Sequence, residues 1–249
     1  MNITNEKVTD YLNSLYHPLT EELARLREKS EAEYVPVILR DTERFLVTML
    51  KIIKPKHILE IGTAVGYSAS CFAEVCGEGT EIVSLEANEN MYEAAVKNIR
   101  RMGYENRIKV IFGDACESMR NAAWEEKSGT HDDECSEGEL SDGAFLGGGS
   151  SDNECSEDTL FDLVFIDASK SHYREFLDEA MKHCHSGSVI ICDNVLMRAQ
   201  TVSDEYDKLK KHRTMIRRMR EFMQYIISLE TIETSVNSLG DGIAICVVK

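Results

Sequence analysis

The chain has 249 residues, enough for one α/β domain with room for an insertion, and its 43% hydrophobic content excludes wholesale disorder. No apolar run approaches the roughly 20 residues needed to span a bilayer, and the first seven residues lack a basic start leading into an apolar stretch, so the expectation is a cytoplasmic protein with no membrane partner. The net charge of −16 is concentrated: residues 125–158 hold twelve Asp or Glu against one Lys, so the rest of the chain is only mildly acidic and a polyanionic partner is not excluded.

The elements follow in chain order. Residues 1–55 read as an N-terminal helical segment. Leu23, Leu26 and Arg27 share one stretch, and Phe45, Leu46, Met49, Leu50 and Ile53 recur at helical spacing until Pro55 closes it. His57–Ile61 is strand-like, and a Gly-containing turn leads into a helix over Tyr67–Val75. Further strands are expected at Glu81–Leu85, Ile108–Phe112, Phe161–Ile166 and Ser188–Cys192, with helices at Met91–Met102 and Tyr173–His183. This βαβα alternation predicts a doubly wound, Rossmann-like α/β fold with a mostly parallel seven-stranded sheet. Thr231–Val236 and Ile243–Val248 flank Asn237-Ser-Leu-Gly-Asp-Gly242 and predict a C-terminal hairpin with an antiparallel strand.

Residues 125–158 interrupt the alternation. They carry Gly147-Gly-Gly-Ser-Ser151 and too little apolar content to offset chain entropy. The segment from Asp132 to Asp142 resembles the one from Asp152 to Asp162 at an offset of 20. A locally duplicated surface loop is favoured over a carboxylate metal trap. The eight cysteines form no CxxC pair, and several sit in apolar stretches such as Val189-Ile-Ile-Cys192, so free thiols are expected rather than zinc ligands.

The chemistry gathers at strand ends. Glu60-Ile-Gly-Thr-Ala-Val-Gly66 follows the first strand, and its Gly62 and Gly66 let the backbone approach a ligand while the next helix offers its N–H groups. A nicotinamide site would show G-x-G-x-x-G; here Ala64 and the four-residue glycine spacing favour a cofactor without a pyrophosphate. Glu86 ends the second strand, where a carboxylate accepts from ribose hydroxyls, and Asp114 and Ala115 follow the third, within reach of an adenine. Three such positions in register point to S-adenosylmethionine. Asp167 and the Asp193-Asn194 pair end two neighbouring strands, where converging oxygen ligands suit Mg2+. Such an ion lowers the pKa of a bound hydroxyl, and Lys170, three residues past Asp167, is the candidate proton acceptor.

Together these residues resemble the metal-dependent O-methyltransferases related to catechol and caffeoyl-CoA O-methyltransferases. The resemblance covers nearly the whole chain except the acidic loop. It is carried by Val35-Pro-Val-Ile38, Ile58 to Ser68, Gly113-Asp-Ala115, Val164-Phe-Ile-Asp-Ala168, Asp193-Asn-Val-Leu196 and Gly240-Asp-Gly242. Within the family the sequence looks most similar to the bacterial tRNA 5-hydroxyuridine methyltransferases. The resemblance implies that Ile38, Ser68, Glu86, Asp114, Ala115 and Asp167 contact S-adenosylmethionine, that Asp167, Asp193 and Asn194 bind magnesium, and that the chain forms a homodimer. Two departures stand out: Ser169-Lys-Ser-His172 is more polar than usual around the lysine, and Ala199 replaces the usual glycine.

The acceptor is less constrained. Catechol and 5-hydroxyuridine both offer two neighbouring oxygens to one metal ion, so the metal motif does not separate them. Lys208 to Arg220 carries seven Lys or Arg and no acid, which suits a tRNA backbone or is simply a solvated helix face. Methylation of tRNA is the expected activity, a small catechol-like molecule is the alternative acceptor, and a non-catalytic S-adenosylmethionine-binding protein is a further one.

Overall fold

The computed structural model describes residues 5–125, 160–207 and 210–249. All of the acidic insertion except Glu125 lies outside the described residues, as do Lys208 and Leu209.

The N-terminal segment forms three helices: α1 (Glu6–Ser14), α2 (Glu21–Ala32) and α3 (Arg40–Ile53). Pro18, Pro36 and Pro55 fall in the gaps after them, where a residue without an N–H and with fixed φ stops helical hydrogen bonding. Thr20 caps α2 by accepting from the Leu23 N–H at 3.2 Å. Next come β1 (His57–Ile61), α4 (Tyr67–Cys76), β2 (Glu81–Glu86), α5 (Glu89–Arg101), β3 (Ile108–Phe112) and α6 (Ala115–Arg120). The second half runs through β4 (Phe161–Ile166), α7 (Tyr173–Ala180), β5 (Cys184–Cys192), α8 (Arg213–Ser228), β6 (Ile232–Asn237) and β7 (Ile243–Val248).

Most boundaries match the sequence expectation within two residues. The fifth strand begins four residues earlier than expected, across a register irregularity opposite Phe161–Leu163. The expected helix to His183 ends at Ala180 and continues as a 3-10 turn over Met181–His183.

The sheet order is β3-β2-β1-β4-β5-β7-β6. The first five strands in that order are parallel, and β7 runs antiparallel to both β5 and β6. The hairpin therefore folds back so that its second strand, not its first, joins the parallel sheet. Strand alternation then sorts the core. Leu59, Ile61, Val164, Ile166, Ile190 and Cys192 face α7 and α8, whereas Ile58, Ile82, Leu163, Phe165 and Ile191 face α2, α3, α4 and α5.

Backbone hydrogen bonds continue past the strand ends and align the first residues of the loops beyond. Gly113 N–H donates to Glu86 O at 2.9 Å, Gly62 to Leu85 at 3.0 Å, Asp167 to Ile61 at 2.9 Å and Asp193 to Ile166 at 3.0 Å. One row of residues thus crosses four neighbouring strand pairs at the carboxyl edge of the sheet, where open α/β folds bind ligands.

Candidate active site

Two cavities open on either side of the β1–α4 turn. One, of about 680 Å³, is lined by Gly62, Ala64, Glu86, Asp114, Ala115 and Asp167. The other, of about 730 Å³, is lined by Ile38, Ser68, Asp167, Lys170, Asp193 and Asn194, with the 34–40 segment as one wall. Gly62, Ala64, Asp167 and Ala168 border both, so one elongated ligand could touch the two.

The turn depends on glycine at one position above all. Gly62 has φ +103°, and a Cβ there would lie 2.3 Å from the Asp167 carbonyl oxygen. Glu86 secures the same turn: its carboxylate accepts from the Ala64 N–H and the Asn88 N–H, both at 2.8 Å. Asp114 caps α6 by accepting from the Glu117 N–H at 2.9 Å. No side chain caps α4, which leaves its first turn open to a ligand.

Glu60 differs from the other candidate residues. It lines neither cavity and lies fully buried beneath the turn, where it accepts hydrogen bonds from the Ser68 and Ser84 hydroxyls. Ser84 is in turn hydrogen-bonded to Thr63 at 2.5 Å. Burial pushes the Glu60 carboxyl up to about 7, against the two serine hydrogen bonds that favour its charge.

On the other side, Lys170 Nζ donates to Asp167 Oδ1 at 2.7 Å and to the Tyr173 hydroxyl at 3.0 Å. Tyr173 donates onward to the Asp193 carbonyl at 2.8 Å, so one buried phenol ties β4, β5 and α7 together. Asp193 is buried. Its Oδ1 accepts from the Asn194 N–H at 2.7 Å, while Oδ2 has no partner. Burial, with the Asp167 charge beside it, pushes the Asp193 carboxyl up to about 8. Among the described residues no three His, Cys, Asp or Glu side chains cluster as metal ligands; the expected set is instead two carboxylates and an amide.

The stretch after Asp193 is bent sharply. Asn194, Met197, Arg198 and Ala199 all have positive φ, the region that penalises a Cβ. Ala199, at φ 67°, thus holds the kind of conformation that a glycine adopts at no cost. Gly242 accommodates this bend, since a Cβ there would come within 2.6 Å of Leu196 Cβ.

Sequence reasoning missed the buried polar cluster of Arg27, Glu43 and Tyr67, though Arg27 and Tyr67 line the larger cavity. The available signal was Arg27 on the same helical stripe as Leu23 and Leu26, an arginine where an apolar residue belongs. It also missed that three arginines of the basic segment have partners in the chain itself. Arg217 pairs with Glu221 at 3.7 Å, Arg218 donates to the Ser171 carbonyl at 3.0 Å, and Arg220 holds Asp204 at 2.8 Å and the Thr201 carbonyl at 2.8 Å.

A nucleotide-type turn at β1, carboxylates at successive strand ends and the reversed seventh strand define a methyltransferase of the Rossmann-like class. A family model described as O-methyltransferase matches residues 12–133 and 150–249. The chain is 27% identical over 247 residues to a caffeoyl-CoA O-methyltransferase from Populus kitakamiensis, covering 95% of this chain and 90% of that one. It is 24% identical over 254 residues to a flavonoid 3',5'-methyltransferase from Vitis vinifera, covering 98% and 94%. An O-methyltransferase from Bacillus cereus solved in complex with SAH (S-adenosylhomocysteine) superposes with a TM-score of 0.74 at 25% identity, covering 98% of this chain and 97% of that one. An SAH-bound methyltransferase from Podospora anserina shares the fold with a TM-score of 0.76 at 22% identity, covering 100% and 98%. The chain belongs to the O-methyltransferase family, and is an S-adenosylmethionine-dependent enzyme of that class. Among the described residues no helix is long and apolar enough to cross a membrane.

Proposed function

We propose that the enzyme methylates the 5-hydroxyl of 5-hydroxyuridine in tRNA, with S-adenosylmethionine as donor. In this reading the donor lies across both cavities. Its ribose faces Glu86, its adenine faces Asp114 and Ala115, and its methionine end meets Ser68, Asp167 and the uncapped first turn of α4. The acceptor base enters the larger cavity beside Lys170, Asp193 and Asn194.

The donor set there fits a small hard cation. Asp193 Oδ2 is buried without a partner, Asp167 stands beside it, and Asn194 adds an amide oxygen. These three residues would hold magnesium, which when bound lowers the pKa of an acceptor hydroxyl. Lys170 has two contributions of its own, in two protonation states: charged, it orients Asp167 through the 2.7 Å ion pair, and neutral, after giving up a proton to solvent, it is the candidate to take up the acceptor's proton.

The observation that carries the RNA reading is a basic depression of about 370 Å³ formed by Ser171 with Lys210, Lys211, His212 and Arg213. Lys210, Lys211 and Arg213 make no ion pair among the described residues, in contrast to the engaged arginines further along α8. The depression adjoins Lys170 through Ser171. Free cations beside the acceptor cavity suit the phosphates flanking an unpaired base turned into it. A second reading, a small catechol-like acceptor, is favoured by the relatives named for caffeoyl-CoA and flavonoid substrates. The exposed apolar residues Val8, Tyr11 and Leu12 on α1, with Leu15 just after it, support a homodimer.

The test is transfer of labelled methyl groups, with magnesium present, to tRNA lacking the modification and to catechols. Label in tRNA at the wobble uridine is the expected result. Label confined to catechols overturns the tRNA reading in favour of the second.

A further inference from the structure

The buried cluster of Arg27, Glu43 and Tyr67 joins three separate elements. Arg27 on α2 is 3% exposed, Glu43 on α3 is 1% and Tyr67 at the start of α4 is 2%. Arg27 Nη2 donates to Glu43 Oε2 at 2.6 Å, and the Tyr67 hydroxyl donates to the same oxygen at 2.6 Å. Arg27 Nε donates back to the Tyr67 oxygen at 3.0 Å, and the guanidinium lies 4.6 Å from the centre of the Tyr67 ring. Tyr16, between α1 and α2, closes the cluster by donating to Glu43 Oε1 at 2.8 Å. Glu43 thus accepts on both oxygens, and the Arg27 guanidinium is held by Glu43 and Tyr67.

A second pairing extends this cluster to the cavity rim. Glu31 lies 3.6 Å from Arg27 and 2.9 Å from Arg40. The 33–39 segment, which contains Ile38 and forms the cavity wall, is therefore spanned by two ion pairs between α2 and α3, Glu31–Arg40 and Arg27–Glu43. Tyr67 is the member of the cluster that stands on the first turn of α4. It directly precedes Ser68, which Glu60 holds from below.

Net stability is a weak reason for such a cluster. Burying two charges costs desolvation that their attraction barely repays, and apolar residues of similar volume often serve the fold as well or better. What apolar residues do not supply is a fixed direction for a phenol ring and for the turn behind it.

We propose that Arg27 and Glu43 are positioning residues for methyl transfer: through Tyr67 they set the first turn of α4 against the 33–39 wall, and so the seat of the donor's methionine end. This rests on the donor placement proposed above. The cluster acts on the donor and the acceptor only through Tyr67 and the wall.

The decisive variant is the double replacement Arg27→Met with Glu43→Leu, which removes both charges together and leaves neither unpaired. Tyr67→Phe, which deletes only the hydroxyl, is the milder companion. Each is assayed by calorimetric titration with SAH alone, by thermal melting, and by steady-state kinetics on whichever acceptor the wild-type protein methylates. The expected result is a Tm close to that of wild type, because the desolvation relieved by removing both charges offsets the Tyr67 hydroxyl that loses its acceptor, with SAH binding weakened about tenfold, equivalent to ~1.4 kcal/mol, and with the donor KM raised more than kcat is lowered. Arg27→Lys with Glu43 kept retains part of the affinity that the double variant loses. Unchanged SAH affinity and unchanged donor KM in the folded double variant would overturn the proposal. If the double variant melts far below wild type, the cluster is structural and the proposal fails; it fails equally if Tyr67→Phe binds SAH as tightly as wild type. Should wild-type protein itself fail to bind SAH, the donor placement fails instead, before any variant is compared.

Discussion

Replacing Glu60 by Gln tests the chemistry under the cofactor turn most directly. In the unfolded chain this carboxyl titrates near its ordinary value of 4.5, whereas in the fold burial raises it to about 7. A raised folded value means that the native state binds the proton more tightly than the unfolded state. The stabilisation is fully present below pH 4.5 and is lost as pH rises through about 7. The interval between the two values corresponds to about 3 kcal/mol. Glutamine keeps an oxygen that can accept from Ser68 or Ser84 but has no proton to lose. Urea unfolding of wild type and Glu60→Gln at pH 5, 7 and 8.5 is expected to give converging stabilities at the low end. At the high end the variant should be the more stable by ~1–3 kcal/mol, once the loss of one charge-assisted hydrogen bond is allowed for. If the two stability profiles run parallel across this range, Glu60 does not titrate there and the reasoning is refuted.

Three other perturbations probe separate parts of the molecule. Gly62→Ala forces a Cβ to within 2.3 Å of the Asp167 carbonyl oxygen at a φ of +103°, so the turn must move. Titration with SAH should show affinity reduced at least tenfold (~1.4 kcal/mol), and wild-type affinity would contradict the close approach. Asp162 accepts from the Lys56 and His57 N–H groups at 2.7 and 2.9 Å and pairs with His185 at 3.1 Å. Burial opposes its charge, but these donors hold its carboxyl below the ordinary 3.8, so its stabilising contribution is present above that value and is lost as pH falls through the depressed one. Asp162→Ala should cost about 1 kcal/mol at pH 7 in urea unfolding, a difference that shrinks below pH 4 and whose persistence there would exclude the assignment. Replacing residues 125–158 by a short Gly-Ser linker is expected to leave the melting temperature and methyl transfer intact; failure to fold would show that the acidic insertion is part of the core.

Much of the fold and part of the site are legible in local chemistry. Pro55 marks the end of the N-terminal helical segment, and β-rich apolar runs mark the strands. Because parallel strands end in register, the residues one step past Ile61, Ile166 and Cys192 had to fall together, which is why Gly62, Asp167 and Asp193 were readable as one site. Glu60 shows the limit of motif reading. It stands next to the turn glycine, but strand alternation puts it on the Ile58 face, under α4, so it braces the turn from below instead of facing a cavity. The basic run at 208–220 shows a second limit: composition counts its charges but not which of them find partners at Ser171, Thr201 and Asp204.

By itself, then, the sequence determined the order of elements, the open parallel sheet and the carboxylates at its edge, since each follows from periodicity and from residues adjacent in the chain. Only the tertiary structure decided that Arg27 meets Glu43 and Tyr67 and that Tyr173 reaches the Asp193 carbonyl. It alone also left Asp193 with an unpartnered oxygen and Lys210, Lys211 and Arg213 with no ion-pair partner among the described residues. Pairings of that kind depend on how whole helices dock across the sheet, and no local spacing encodes the distance between two side chains on different layers.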